Sequence, residues 1–305
     1  MTQMVSEANQ PLVPVALFYL GCSVVSCIGN SIMLILFIKE RTFHSPCHYM
    51  ITFSCCADML HLTGHFIFNY HIFAEKTDTQ ENCYWMLFLT SVGKCISNPL
   101  ILMTGIDRLI ACKLPVLYRT LLERPKLYIS GQLVFPMTYT TFLMVSGFLQ
   151  RDPKTQIVCT VPLAFAGTAF SKFNTSGVFI NCAIVVVYFL TFLQLRNYAG
   201  ATQMKVVFRS ILWTVIFVIL GWSSVTVANQ FAIFSSDPMQ RKLIAIYAGI
   251  GVNLASASNV FVFYAINTEY REAIRRLFGL SRSLPSNRTS VAPRSSTKIN
   301  LTPIS

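Results

Sequence analysis

Two ionisable side chains, Asp58 and Lys94, stand deep inside apolar stretches, and an adjacent acid and base, Asp107 and Arg108, close one such stretch just before it turns basic. Removing a charge from water is costly unless it is paired, so each of the four needs a partner or a task. Lys94 follows Cys83 by 94 − 83 = 11 positions, about 16 Å of helix. It can reach down to pair with Asp58, meet an acidic ligand from above, or snorkel toward the nearer interface, and the sequence leaves the three open. His61 and His65 sit four apart on one helical face, a spacing that can hold a metal. No cysteine or acid cluster at ligand spacing and no glutamate base accompanies them, so they read as polar histidines of a core or cavity. No nucleophile elbow, Walker or Rossmann motif appears, so we expect neither an enzyme nor a bound cofactor.

The elements that position these residues follow from composition. Of 305 residues, 53% are hydrophobic and 12% charged, and 24 are Phe, which points to lipid as the main solvent. Apolar runs at 12–38, 48–72, 84–108, 127–149, 173–196, 207–234 and 242–266 are each long enough, at about 1.5 Å per residue, to cross about 30 Å of hydrocarbon. In lipid the backbone must satisfy its own hydrogen bonds, and barrel strands would be shorter and alternate in polarity, so the runs are helices. The connections are short and polar, with no internal repeat. The expected fold is an all-α membrane protein: a seven-transmembrane helix bundle over 12–266 after a short extracellular N-terminus (1–11). A short amphipathic C-terminal helix (267–279) lies along the membrane, with Tyr270, Ile274, Leu277 and Phe278 on one face and Arg271, Arg275 and Arg276 on another. Residues 280–305, rich in Ser, Thr, Pro and Arg, have too little apolar material for a core and read as a disordered tail.

Lys and Arg fix the orientation. Lys39, Arg41, Arg108, Lys113, Arg119, Arg124, Lys126 and the tail's basic residues fall on one side, and a sparser set, including Lys76, Arg151 and Lys172, on the other. The richer side is cytoplasmic, which puts the N-terminus outside and the C-terminus inside a multi-pass protein of the plasma membrane. The formal charge of +12 then reflects topology and anionic inner-leaflet lipid, with no nucleic acid implied. Of ten cysteines, Cys83 and Cys159 are expected outside, where a disulfide would tie the loop between spans four and five over the mouth of the bundle; two free thiols are the alternative. The sequon Asn174–Thr175–Ser176 falls at the outer end of span five, a possible glycosylation site.

Several residues together resemble the rhodopsin-like G-protein-coupled receptors, most of all the nematode serpentine chemoreceptors of the srsx class, over residues 12–278. They are Gly29–Asn30, Asp58, Cys83, "DRL" at 107–109, Pro115 with "LYR" at 117–119, Tyr188, Trp222 and "NVFVFY" at 259–264. Positions usually occupied by proline are Ser224 in span six and Val260 in span seven, and Phe263 stands where Tyr is usual, with Tyr264 next. The resemblance implies a receptor that passes ligand binding outside to a heterotrimeric G protein inside. It implies a ligand site near Thr90, Lys94, Trp222 and Asn253, and a polar core of Asn30, Asp58, Ser97, Ser256 and Asn259 that can hold sodium. Asp107 and Arg108, with Tyr188, Asn259 and Tyr264, form the switch, and Tyr188 is expected to support Arg108 in the open state. Arrestin or a receptor kinase would act at the tail. Asn253 occupies the place of a pigment's retinal-binding lysine, so light sensing is disfavoured.

The alternative is a membrane transporter or channel built on a helical bundle. Such proteins show repeat symmetry, broken helices or several charges along a path. One Asp and one Lys make a poor path, and the receptor reading, for a small-molecule or peptide ligand, is the stronger.

Overall fold

In a computed structural model, the protein is described over residues 10–165, 167–197, 202–234 and 236–280. The expectations for the first nine residues, for the disorder of 281–305 and for the Trp222 side chain lie outside the described residues. Twelve α-helices are described, besides two single-turn 3-10 helices: α1 (Val13–Lys39), α2 (Pro46–Phe73), α3 (Gln80–Met86), α4 (Phe88–Lys113), α5 (Pro115–Leu122), α6 (Pro125–Leu149), α7 (Val161–Ala164), α8 (Gly167–Asn197), α9 (Thr202–Phe234), α10 (Pro238–Ala248), α11 (Ile250–Ile266) and α12 (Thr268–Leu277). Proline opens α2, α5, α6 and α10, where its missing amide costs no helical hydrogen bond and its fixed φ suits the first turn.

The seven spans are α1, α2, α4, α6, α8, α9 and the pair α10–α11. Among the described residues, six spans are long and apolar enough by composition to cross a membrane. The other, α2, has 28 residues but carries His48, Asp58, His61, His65 and His71. Large apolar side chains face outward from the spans, among them Phe179 at 72% and Phe261 at 60% exposure, a distribution suited to lipid. Two expected rods are each two pieces. Cys83 lies in α3, and a turn at Leu87 separates it from α4, so Cys83 and Arg108 do not share one helix. The seventh span breaks at Gly249 between α10 and α11.

The helices close a ring: α1 packs on α2, α2 on α4, α8 on α9, α9 on α11 and α11 back on α1, while α4 lies inside against α2, α6 and α8. Within a membrane the apolar effect cannot drive such contacts, and small residues that let backbones approach take its place. A Cβ on Gly93 would stand 2.5 Å from the Ala57 carbonyl oxygen and 2.7 Å from the His61 nitrogen, so α4 meets the backbone of α2 there. Gly221 of α9 is seated as closely on the Gly251 backbone of α11. Pro99 lies inside α4 and Pro136 inside α6. At Ser224, where the resemblance leads one to expect proline, the hydroxyl donates to the Gly221 carbonyl at 2.6 Å, a back-bond that often bends helices.

Helix α12 has the expected position and amphipathic character. Asn267 caps it by accepting from the Glu269 and Tyr270 amides, Tyr270 and Ile274 are buried, and Arg276 pairs with Glu40 at 3.0 Å. Tyr270 stacks on Phe43 with centroids 4.2 Å apart, fastening α12 under the bundle. Phe278, expected on the apolar face, is 57% exposed.

Candidate functional site: two stacked cavities and a buried ion pair

Cys83 and Cys159 form a disulfide, buried among Leu87 and Ala164. Beside it a two-residue antiparallel ladder pairs Asp78–Thr79 (β1) with Gln156–Ile157 (β2). Gln80 bonds the same segment twice through its side chain, donating to the Ala164 carbonyl and accepting from the Asp152 amide at 2.6 Å. The segment 152–165 is thereby pinned across one end of the bundle.

Beneath it lies a cavity of about 200 Å³, roofed by Val161, Pro162 and Leu163. Lys94 and Asn253, two of the residues expected near a ligand, line its wall. Asn253 is held in place: its Oδ1 lies 2.5 Å from His65 Nε2 and its Nδ2 donates to the Gly249 carbonyl at 2.9 Å. The Tyr19 ring lies 4.7 Å from the His65 ring, and its hydroxyl donates to the Ile246 carbonyl. Thr90 is not in the wall. Its side chain is 3% exposed and lies against Gly64 of α2, with its hydroxyl 3.3 Å from that of Thr63, so it is a helix–helix contact rather than a ligand contact. Asn174 faces this cavity from within α8 and is half-buried, so its sequon lacks the surface loop that a glycan needs.

A second, smaller cavity of about 50 Å³ lies against the first, and Lys94 and His61 line both. Asp58 lies in its wall and accepts from Ser97 at 3.1 Å and from Asn259 Nδ2 at 2.8 Å, which joins α2, α4 and α11 through one carboxylate. Ser256 is also in the wall. Asn30 stands one step away: its amide donates to Ser26 at 2.8 Å, and Ser26 in turn donates to the Ser256 carbonyl at 3.4 Å. Asn259 Oδ1 and Ser54 Oγ have no hydrogen-bond partner among the described residues. A carboxylate with hydroxyl and amide oxygens around it fits a small hard cation such as sodium. The Lys94 side chain lines the same cavity as Asp58. His61 and His65 stand with ring centroids 5.7 Å apart, and among the described residues no group of three metal-binding side chains forms.

Toward the far end of α4, Arg108 pairs with Asp107 through both Nε, at 2.8 Å, and Nη2. Both are buried. Asp107 also accepts from the Tyr128 hydroxyl at 3.1 Å and from Gln132 at 3.5 Å, while Arg108 donates to the Tyr118 hydroxyl at 2.9 Å. Such partners, from α5 and α6, satisfy a buried pair that would otherwise cost more than it returns. We term this buried cluster, which ties the end of α4 to α5 and α6, the latch.

The family model for the serpentine type 7TM GPCR chemoreceptor Srsx matches residues 23–278. The chain belongs to that family. No curated protein matches it. In this Srsx-family chain Tyr188 is buried, donates to the Ile101 carbonyl at 3.2 Å, and lies so close to Gly105 that a Cβ there would stand 2.5 Å from its ring. Its hydroxyl is thus engaged with Ile101 and not with Arg108. Tyr264 is not part of the latch; it accepts from Arg275 of α12 at 3.4 Å. Tyr118, Tyr128 and Gln132 were not singled out from sequence. Only Tyr118 carried a signal, as the centre of "LYR".

Proposed function

We propose that this Srsx-family protein is a plasma-membrane chemosensory receptor whose extracellular end is the one closed by Cys83–Cys159, and whose Arg108 end faces a heterotrimeric G protein in the cytoplasm. A ligand enters beneath the 152–165 segment and meets Lys94 and Asn253. The Asp58 cluster below responds, and the latch opens to free Arg108 for the C-terminal helix of a Gα subunit. Tyr188 then leaves Ile101 to support the freed guanidinium, and the tail serves arrestin or a receptor kinase.

What supports this reading is a single line of sites on α4. Lys94 faces the covered cavity, Ser97 the Asp58 carboxylate, and Asp107–Arg108 the latch, so one helix touches all three layers.

The test is nucleotide exchange on purified Gα subunits by receptor in nanodiscs, with wild type against Arg108→Ala at matched amounts. Exchange by wild type that Arg108→Ala abolishes is the expected result. Equal exchange by both would leave Asp107 and Arg108 with no role in coupling beyond fixing the orientation of the span.

A further inference from the structure

Lys94 supplies the one formal charge among the described residues that line the upper cavity, and no acidic side chain shares that wall. The rest of the wall is mostly apolar, with Phe68, Phe170, Leu163 and Val252 among its members. A second polar group points the same way. His61 is 6% exposed, lines the same cavity, and its Nδ1 has no hydrogen-bond partner among the described residues. The cavity, at about 200 Å³, is smaller than the roughly 300–1,000 Å³ of drug-sized clefts.

From this geometry we propose that the ligand is a small, largely apolar monocarboxylic acid, with its carboxylate at Lys94 and His61 and its hydrocarbon against Phe68, Phe170 and Leu163. The inference rests on the receptor reading above and deepens it by naming the ligand's chemistry. A single ammonium in an apolar wall matches a single negative charge. A phosphate or sulfonated ester with further polar oxygens would leave acceptors unsatisfied against Phe and Leu.

The position of Lys94 also links ligand to switch. Its side chain borders both cavities, and the Asp58 carboxylate lies on the lower one within reach of its charge. A carboxylate arriving from above therefore competes with Asp58 for one ammonium. As the ligand takes it, Asp58 is left to Ser97 and Asn259, and the cluster that joins α2, α4 and α11 changes its charge balance. The same competition predicts that neutralising Asp58 strengthens acid binding.

The experiment uses full-length protein in nanodiscs, with hexanoate and phenylacetate as probes against hexanol and 2-phenylethanol, read by calorimetry and by the thermal unfolding shift. The acids bind saturably, and the matched alcohols bind on the order of ten- to hundredfold more weakly. Lys94→Met abolishes the preference, Lys94→Arg keeps it, and Asp58→Asn tightens the acids several-fold. Alcohols equal to acids on wild type, acid preference surviving in Lys94→Met, or no binding by either acid would each overturn the proposal. Should Lys94→Met not fold, the acid-against-alcohol comparison on wild type and Lys94→Arg decides alone. The readout needs no G protein. A protein that binds acids without driving nucleotide exchange sinks the coupling reading while supporting this one; basal exchange by a protein indifferent to acids does the reverse.

Discussion

Arg108 donates from Nη2 to the Tyr118 hydroxyl at 2.9 Å, so the latch at the end of α4 is closed partly by a phenol from the short helix α5 that follows it. Tyr118→Phe removes that acceptor and leaves Asp107 as the guanidinium's main support. The expected loss is about 1–2 kcal/mol from the shut state, seen as a rise of roughly five- to thirtyfold in basal nucleotide exchange with folded yield nearly unchanged. Burial, and then the Asp107 carboxylate, hold the Tyr118 phenol above its usual range, so the hydroxyl stays protonated and this rise should not vary with pH between neutral and mildly alkaline buffer. Basal exchange equal to wild type would show that Tyr118 does not restrain Arg108.

Gly93 seats α4 on the backbone of α2, one residue before Lys94. Gly93→Ala places a methyl against the Ala57 carbonyl oxygen and the His61 nitrogen, neither of which can turn aside. We expect about 1–3 kcal/mol of destabilisation, measured as a lower unfolding temperature in detergent. Gly131→Ala, where nothing lies within 4 Å, should leave that temperature unmoved. Equal behaviour of the two variants would contradict the close approach.

Asp58 and Lys94 border the same small cavity, where opposite charges would support each other. Lys94→Met and Asp58→Asn should each lower folded, surface-delivered protein, with costs of roughly 3–5 kcal/mol where the charges are fully buried. The double variant should recover yield beyond either single change, a coupling that a double-mutant cycle reports directly. If the two losses simply add, the charges do not support each other and Lys94 serves the upper cavity alone.

Cys83 and Cys159 enclose a 76-residue separation, and their bridge holds the roof of the upper cavity. Cys83→Ser, Cys159→Ser and the pair should each cost about 2–5 kcal/mol, with surface delivery reduced alike in all three. Alkylation of both thiols in an unreduced native preparation would show that the bridge is not made.

The ring of spans was legible because lipid allows so few solutions: long apolar runs must be helices, and basic flanks mark one side. The breaks within the third and seventh spans were not, because Leu87 and Gly249 interrupt helices whose apolar content continues unchanged across them. The disulfide was readable from the placement of two cysteines outside the spans. The polar core around Asp58 was readable through resemblance, since Ser97 and Asn259 meet it from helices far apart in sequence. Thr90 could not be placed without the rotation of α4 about its axis, and one helical step decides between cavity and neighbour. The cage around Asp107 also escaped notice, for Tyr128 and Gln132 look like ordinary members of an apolar run until α6 turns them inward.

Pro99 lies on α4 two residues past Ser97 and nine before Arg108, and it has no amide to offer the carbonyl one turn back. The rod that joins cavity to latch therefore lacks one rung between its two working ends. On the receptor function proposed above, a rod weakened at a single level would flex there first, so a push near Lys94 would reach Arg108 as a swing about a fulcrum rather than as a slide. On the same proposal, with Ser224 and Val260 where prolines are usual, Pro99 gives α4 its own pivot, and the length of the lower arm would set how far the guanidinium travels for a given displacement above.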